Sequence, residues 1–391
     1  MKNNMKKLLA LFLVLTLVLA GCGQKAEDKK EELEDKLEDK VDQVEDKLDG
    51  DDKKEDKELG ELKFTDMAGR EVVLDGDRDD LLVIGSALRM YTYINGTEKL
   101  VGIEKAQQNK ESGRPYIMAN AEGLAALDLV GEGFPADVDP ELVLTADPDV
   151  IIAGDLDIKT LEELENKTGI PVVILTTGSE PVFDEKMYES LKIIGQITGK
   201  EDRAEEVINY LEDAKKELEN LTKDIEEDKR PSVYVGGLSH KGNHGIESTK
   251  ANSQVLDAIN ANNVADELKD EGTVDIDKEQ LIKWDPEIII IDENGLGLVR
   301  EDYDKNPDYY ESLRAFQEGK VYGQLPYVSY YSNIETALID TYYLGTILYP
   351  EEFKDIDPVV KADEIYEFML GEKLYDQMAE KFGGFMKLEF K

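Results

Sequence analysis

The chain has only two histidines, His240 and His244, four residues apart in the glycine-rich run Gly236-Gly237-Leu238-Ser239-His240-Lys241-Gly242-Asn243-His244-Gly245. Neutral imidazole ligates iron or cobalt well. The surrounding glycines argue against a helix, so a metal-binding face with i, i+4 spacing does not follow; the competing reading is a polar loop whose histidines face water. A second group is Tyr327, Tyr330 and Tyr331, within Pro326-Tyr327-Val328-Ser329-Tyr330-Tyr331-Ser332-Asn333. Phenolate oxygen is a hard donor suited to ferric iron, and a neutral phenol can stack on a flat chelate ring. The alternative is an aromatic lid packed on its own surroundings. A third group is Ser86 with Arg89, just past a strand end, and Arg114 with Tyr116 on a loop. Arginine pairs with carboxylate or catecholate groups, bidentately where geometry allows. Arg89 also reads as a surface helix residue.

Enzyme signatures are mostly absent. Gly237-Leu238-Ser239-His240-Lys241 lacks the glycine that a nucleophile elbow needs two residues after its serine. No phosphate-binding P-loop and no zincin helix occur. Carboxylates are so abundant that pairs of them carry no information. No catalytic residues are expected.

The elements that must position these side chains announce themselves by repetition. Asp139-Pro140-Glu141-Leu142-Val143-Leu144, then Asp147-Pro148-Asp149-Val150-Ile151-Ile152, is echoed by Asp277-Lys278-Glu279-Gln280-Leu281-Ile282, then Asp285-Pro286-Glu287-Ile288-Ile289-Ile290. Each copy reads as a short helix, a tight Asp-Pro turn and a buried parallel strand. Strand candidates at Leu81 to Ile84, Leu100 to Ile103, Pro171 to Leu175, Ser232 to Val235 and Val321-Tyr322 alternate with helical stretches, which indicates parallel α/β organisation. Leu62 to Thr65 and Glu71 to Leu74 flank Asp66-Met67-Ala68-Gly69-Arg70 as a β-hairpin.

Between the two repeats, Ala204, Val207, Ile208, Leu211, Ala214, Leu218, Leu221 and Ile225 fall at helical spacing without Gly or Pro. This stretch reads as one long helix over 200–226, joining an N-terminal α/β lobe (61–199) to a C-terminal α/β lobe (227–391), both Rossmann-like, with a ligand cleft between them. A single stiff connector permits only a small hinge.

Residues 1–21 read as a signal peptide: Lys2, Lys6 and Lys7 precede an apolar run from Leu8 to Leu19 that is too short for a permanent span. Leu19-Ala20-Gly21-Cys22 resembles a bacterial lipobox, which implies cleavage before Cys22 and lipidation of its thiol. Cys22 is the only cysteine, so disulfides and thiolate metal sites are excluded. Residues 22–60 then form a lipidated cysteine and a charged tether, either extended by self-repulsion or weakly helical through Leu33, Leu37, Val41, Val44 and Leu48. The formal net charge of −42 argues against nucleic acid or anionic lipid as a partner. The expected location is the extracytoplasmic face of the cell membrane.

The hairpin Asp66-Met67-Ala68-Gly69-Arg70-Glu71-Val72, the paired glutamate and Asp-Pro units and the lone connecting helix resemble an ABC-transporter substrate-binding lipoprotein. The subgroup is the periplasmic-binding-protein class III, which serves iron-siderophores, heme and cobalamin. The run from Tyr327 through Tyr342-Tyr343-Leu344-Gly345 to Lys361-Ala362-Asp363-Glu364-Ile365-Tyr366 looks like its iron-related branch. The resemblance implies an ABC permease with its ATPase as partners and a monomeric protein. It also implies no cofactor of its own and a transported metal chelate, either iron-siderophore or heme, with corrinoid next. It further implies that Glu141 and Glu279, one per lobe, dock onto permease arginines; ordinary helix-start glutamates are the alternative. A binding protein for a bare metal ion, using His240, His244 and a tyrosine, stays open. So does a surface chelatase or chelate reductase.

Overall fold

The computed structural model describes residues 60–133, 137–178, 182–239, 242–268 and 272–390. The signal segment, Cys22, the charged tether and His240 lie outside the described residues.

The first described element is the hairpin β1 (Leu62–Thr65) and β2 (Glu71–Leu74), antiparallel with Leu62 opposite Leu74 and Thr65 opposite Glu71. Its turn is held by one carboxylate. Asp66 is 4 % exposed, accepts backbone N–H bonds from Ala68 at 3.0 Å and Arg70 at 2.9 Å, and pairs with the Arg70 guanidinium at 2.8 Å. Gly69 takes the left-handed φ of +79° that the turn requires. Asp66 also accepts from the Ile174 N–H at 3.3 Å, which ties the hairpin to the first large sheet.

That sheet comprises β3 (Leu81–Gly85), β4 (Leu100–Glu104), β5 (Asp128–Gly133), β6 (Asp137–Val138), β7 (Val150–Gly154) and β8 (Val172–Leu175) in spatial order β6-β5-β4-β3-β7-β8. All neighbours are parallel except β5 with β6. The second sheet uses β9 (Ser232–Gly236), β11 (Asn262–Asn263), β13 (Ile288–Asp292), β14 (Val321–Gln324) and β15 (Met386–Lys387), ordered β11-β9-β13-β14-β15, with only β15 antiparallel. A separate ribbon pairs β10 (Ser248–Lys250) with β12 (Thr273–Asp275). The α/β class with two parallel sheets therefore holds. Strands β5, β6, β10, β11, β12 and β15 carry no buried apolar run and were not foreseen.

Both central strands are covered on two faces, which is why they read as unbroken apolar runs. Leu81 and Val83 point into one core while Leu82 and Ile84 point into another. Ile288 and Ile290 enter that first core as well, while Ile289 and Ile291 turn to a third. One continuous apolar core thus joins the inner faces of the two sheets, and each sheet has its own outer core.

The helix Glu201–Thr222, of 22 residues, stands in the chain between β8 and β9 and buries Ala204, Val207, Leu211, Ala214 and Leu218. It stops short of the expected 226. The Ile225 N–H bonds the Thr222 carbonyl at 3.1 Å, and Arg230 donates to the Ile225 carbonyl at 3.1 Å, so a turn replaces the last expected helical residues. Among the described residues no helix is long and apolar enough to cross a membrane.

Candidate ligand site at the strand ends

In open α/β sheets ligands gather beyond the carboxyl ends of the strands, and here those ends carry polar side chains. At the end of β3, Gly85 has φ +64°, and a Cβ there would lie 2.4 Å from the Gly154 carbonyl oxygen; the strand end closes only around glycine. Ser86 follows and donates to Asp155 Oδ2 at 2.6 Å. Asp155, just past β7, also accepts from the hydroxyls of Thr176 and Thr177, both at 2.6 Å. At the end of β4, Glu104 is fully buried and accepts from the Gly85 N–H at 2.8 Å. Burial pushes its carboxyl above the usual range, against the Gly85 and Tyr330 hydrogen bonds and the Arg114 charge.

Arg114 and Tyr116 stand over these ends. The expected loop is partly a short helix, Pro115–Ala119, and Tyr116 lies within it, fully buried. Arg114 donates to Gln107 Oε1 at 3.1 Å and Ser112 Oγ at 3.0 Å, and it also bonds the Ala106 carbonyl. The Tyr116 hydroxyl reaches Gln107 Oε1 at 2.6 Å, and Gln107 in turn donates to the Gly85 carbonyl at 2.9 Å.

The second sheet sends its aromatic loop into this region. Between Tyr327 and Asn333 the chain folds into a small finger, with Val328 bridged to Ser332 and the Asn333 N–H on the Tyr327 carbonyl at 2.7 Å. Its tip needs two consecutive left-handed residues that are not glycine, Tyr330 at φ +52° and Tyr331 at φ +67°. The Tyr331 hydroxyl donates to the Asp155 carbonyl at 2.5 Å, and the Tyr330 hydroxyl sits 3.4 Å from Glu104 Oε1. The Arg114 guanidinium lies 5.1 Å from the Tyr330 ring centre. Burial raises both phenols, Tyr330 more strongly with Glu104 adding to it, so they stand protonated at neutral pH as hydrogen-bonding, stacking groups.

Ser86, Arg114, Tyr116, Tyr330 and Tyr331 are therefore neighbours through Glu104, Gln107 and Asp155. Arg89 is close by but is no surface residue, being fully buried. Its guanidinium donates to the Tyr330 carbonyl at 2.8 Å, the Ser329 carbonyl at 3.3 Å and Asn333 Oδ1 at 3.2 Å, and lies 4.7 Å from the Tyr116 ring centre. It is the clasp that holds the finger's backbone. Beside it Tyr93 bonds Glu335 of the helix Ile334–Leu348, a second polar link between the two halves. Tyr327 parts from the other two tyrosines: it is 4 % exposed and belongs to the shared core. His244 also stands apart, with Nδ1 3.3 Å from Asp275 of β12. Among the described residues no group of three or more His, Cys, Asp or Glu side chains could hold a metal ion.

Sequence reasoning missed Glu104, Gln107 and Asp155, and also a buried acidic group under the finger's base. Asp292 ends β13, Glu293 follows it, and Asp340 accepts the Leu325 N–H at 3.2 Å. These three carboxyls and Gln324 are at most 7 % exposed. Burial pushes Asp292 and Asp340 well above the usual carboxyl range, and Glu293 up to about 8. A polar residue closing a buried strand is the signal that marks Glu104 and Asp292; it was hidden by the sheer number of acids in the chain.

Glu141 and Glu279 lie elsewhere, exposed on the helices Pro140–Ala146 and Lys278–Trp284. Asp139 caps the first, accepting the Glu141 N–H at 2.9 Å.

Two parallel sheets around one inner core, with polar strand ends bridged by a finger from the opposite half, define a two-lobed α/β binding protein. The chain belongs to the periplasmic binding protein family, whose model matches residues 87–326. It is 20 % identical to the molybdate-binding protein MolA of Haemophilus influenzae (strain ATCC 51907 / DSM 11121 / KW20 / Rd) over 331 residues, covering 79 % of this chain and 91 % of that protein. It is 22 % identical to an uncharacterized ABC transporter substrate-binding lipoprotein, YvrC of Bacillus subtilis (strain 168), over 348 residues, covering 88 % and 98 %. A periplasmic solute binding protein from Veillonella parvula DSM 2008 superposes with a TM-score of 0.64 at 19 % identity, covering 83 % of this chain and 97 % of that one.

Proposed function

We propose that this protein is the extracytoplasmic substrate-binding component of an ABC importer, held at the membrane by a lipidated Cys22 and delivering a metal chelate to the permease. Family membership and similarity to an ABC substrate-binding lipoprotein support the transport role. The cargo reading rests on one observation: Tyr330 and Tyr331 from one half roof Arg114 and the strand ends at Glu104 and Ser86 of the other. Ring faces and phenol donors beside a guanidinium suit a flat, anionic chelate. An iron complex, siderophore or heme, is the first choice, with corrinoid next. Glu141 and Glu279 dock onto the permease, the protein acts as a monomer, and it performs no turnover.

A molybdate-like oxyanion is the second reading, favoured by similarity to a molybdate-binding protein. The Tyr330 and Tyr331 rings weigh against it, because a small bare oxyanion offers no flat face for them to stack on. Visible absorption and calorimetric titration of the mature protein with heme, ferric siderophores, cobalamin and molybdate separate these cases. Stoichiometric binding of an iron chelate, weakened by Tyr330→Ala and Arg114→Ala, is expected. Binding of molybdate alone would replace the chelate reading, and conversion of a chelate to product would make the protein a chelatase or reductase.

A further inference from the structure

We infer that Leu144 and Ile282 are a matched pair of apolar contacts, one per lobe, through which the protein seats on a membrane-embedded partner presenting the same surface twice. This inference rests on the docking reading of Glu141 and Glu279.

The repeats align at their Asp-Pro pairs, which sets Glu141 against Glu279, Val143 against Leu281, Leu144 against Ile282 and Pro148 against Pro286. Burial follows the same register. Val143 and Leu281 are 0 % and 1 % exposed, whereas Leu144 and Ile282 are 49 % and 45 % exposed. Both helices have 7 residues, and each ends in an aspartate with left-handed backbone, Asp147 at φ 50° and Asp285 at φ 42°. Residues three apart on a helix are neighbours, so each glutamate stands beside its aliphatic partner. Each helix turns one apolar side chain into a core, which fixes its seat, and holds a carboxylate and a branched aliphatic side by side in solvent.

A single exposed leucine needs no explanation, but recurrence in register does. Among the described residues ten large apolar side chains are exposed, and three of them, Leu142, Leu144 and Ile282, fall on these two short helices. Lys283, the next residue after Ile282, is exposed as well, so a polar side chain is accommodated on that surface without difficulty.

The occupant follows from the chemistry. A partner built from two equivalent subunits related by a two-fold axis offers the same surface twice, as this chain does in its two repeats. The carboxylates require a cation on each copy, and the aliphatics require a shallow apolar depression beside it. A protein of net charge −42 is drawn to any cationic surface. Two apolar contacts at a fixed separation select the surface with the right spacing.

The test uses the mature protein and the permease–ATPase complex of its importer in nanodiscs, with binding measured at low and high salt. Leu144→Ser and Ile282→Ser should each weaken binding by about tenfold. That loss should persist at high salt, with cargo affinity and melting temperature unchanged. Glu141→Gln and Glu279→Gln should weaken binding at low salt and much less at high salt, where charges are screened. If the glutamine variants weaken binding and the serine variants do not, the apolar pair is wrong and the docking reading stands. If all four bind like the parent, both are wrong. An effect at only one of Leu144 and Ile282 overturns the matched pair.

Discussion

Glu293→Gln should make the protein more stable at pH 8 than the parent. Glu293 is 7 % exposed, and burial raises its folded pKa from 4.5 to about 8, against the Gly384 N–H bond that favours the charged form. Between those values the folded state binds a proton that the unfolded chain has released. Stability from this group is therefore full below about pH 4.5, falls as pH rises, and is lost by about pH 8. The amplitude is on the order of 5 kcal/mol, since each tenfold change in proton affinity corresponds to about 1.4 kcal/mol. A glutamine keeps an oxygen for the Gly384 N–H, 3.1 Å from Glu293 Oε2, and has no proton to lose. It also removes a charge that raises Asp340 and Asp292. Urea unfolding of parent and variant at half-unit steps from pH 4.5 to 8.5 should show the parent losing several kcal/mol more than the variant, in which Asp292 and Asp340 still titrate. The curves should lie close together at the acid end and about 3 kcal/mol or more apart at pH 8. Parallel curves would refute the reasoning, because they would mean that the carboxyl is already ionised in the fold.

Two further perturbations test the clasp and the hairpin. Arg89→Met should lower stability by about 3 kcal/mol, since it frees the Ser329 and Tyr330 carbonyls and leaves Glu335 buried without its nearby positive charge. Hydrogen exchange across residues 328–332 should accelerate, and adding Glu335→Gln should recover part of the loss in a thermal melt. Asp66→Ala should cost about 2 kcal/mol, because a buried carboxylate that organises the turn and meets the Ile174 N–H disappears; chemical denaturation with unaltered cargo binding is the expected result.

Much of the architecture was legible because both large sheets are covered on two faces. Apolar runs such as Leu81 to Ile84 and Ile288 to Ile290 announce strands whatever lies around them. The Asp-Pro turns were legible for a local reason: Asp147 and Asp285 adopt left-handed backbone that aspartate tolerates, and Pro148 and Pro286 then stop the helix from continuing. The site was read less completely. Ser86, Arg114, Tyr116, Tyr330 and Tyr331 do meet, yet Tyr327, from the same aromatic run, turns into the core, since spacing within a loop does not tell which side a ring takes. The left-handed pair at Tyr330 and Tyr331 has no local sequence cause; contacts with the opposite half impose it. Glu104 and Asp292 are singled out by burial and Asp155 by the hydroxyls it gathers, neither of which composition reveals in a chain so rich in acids.

The inner core bears on whether the two halves could fold apart. Each half carries its own Asp-Pro unit and its own sheet. Val83 and Ile290, however, now sit in a single apolar mass. Neither half could be cut free without baring one whole face of its sheet to water. Separately expressed halves should aggregate when alone and recover solubility when mixed. The common interior thus makes the two repeats a single folding unit.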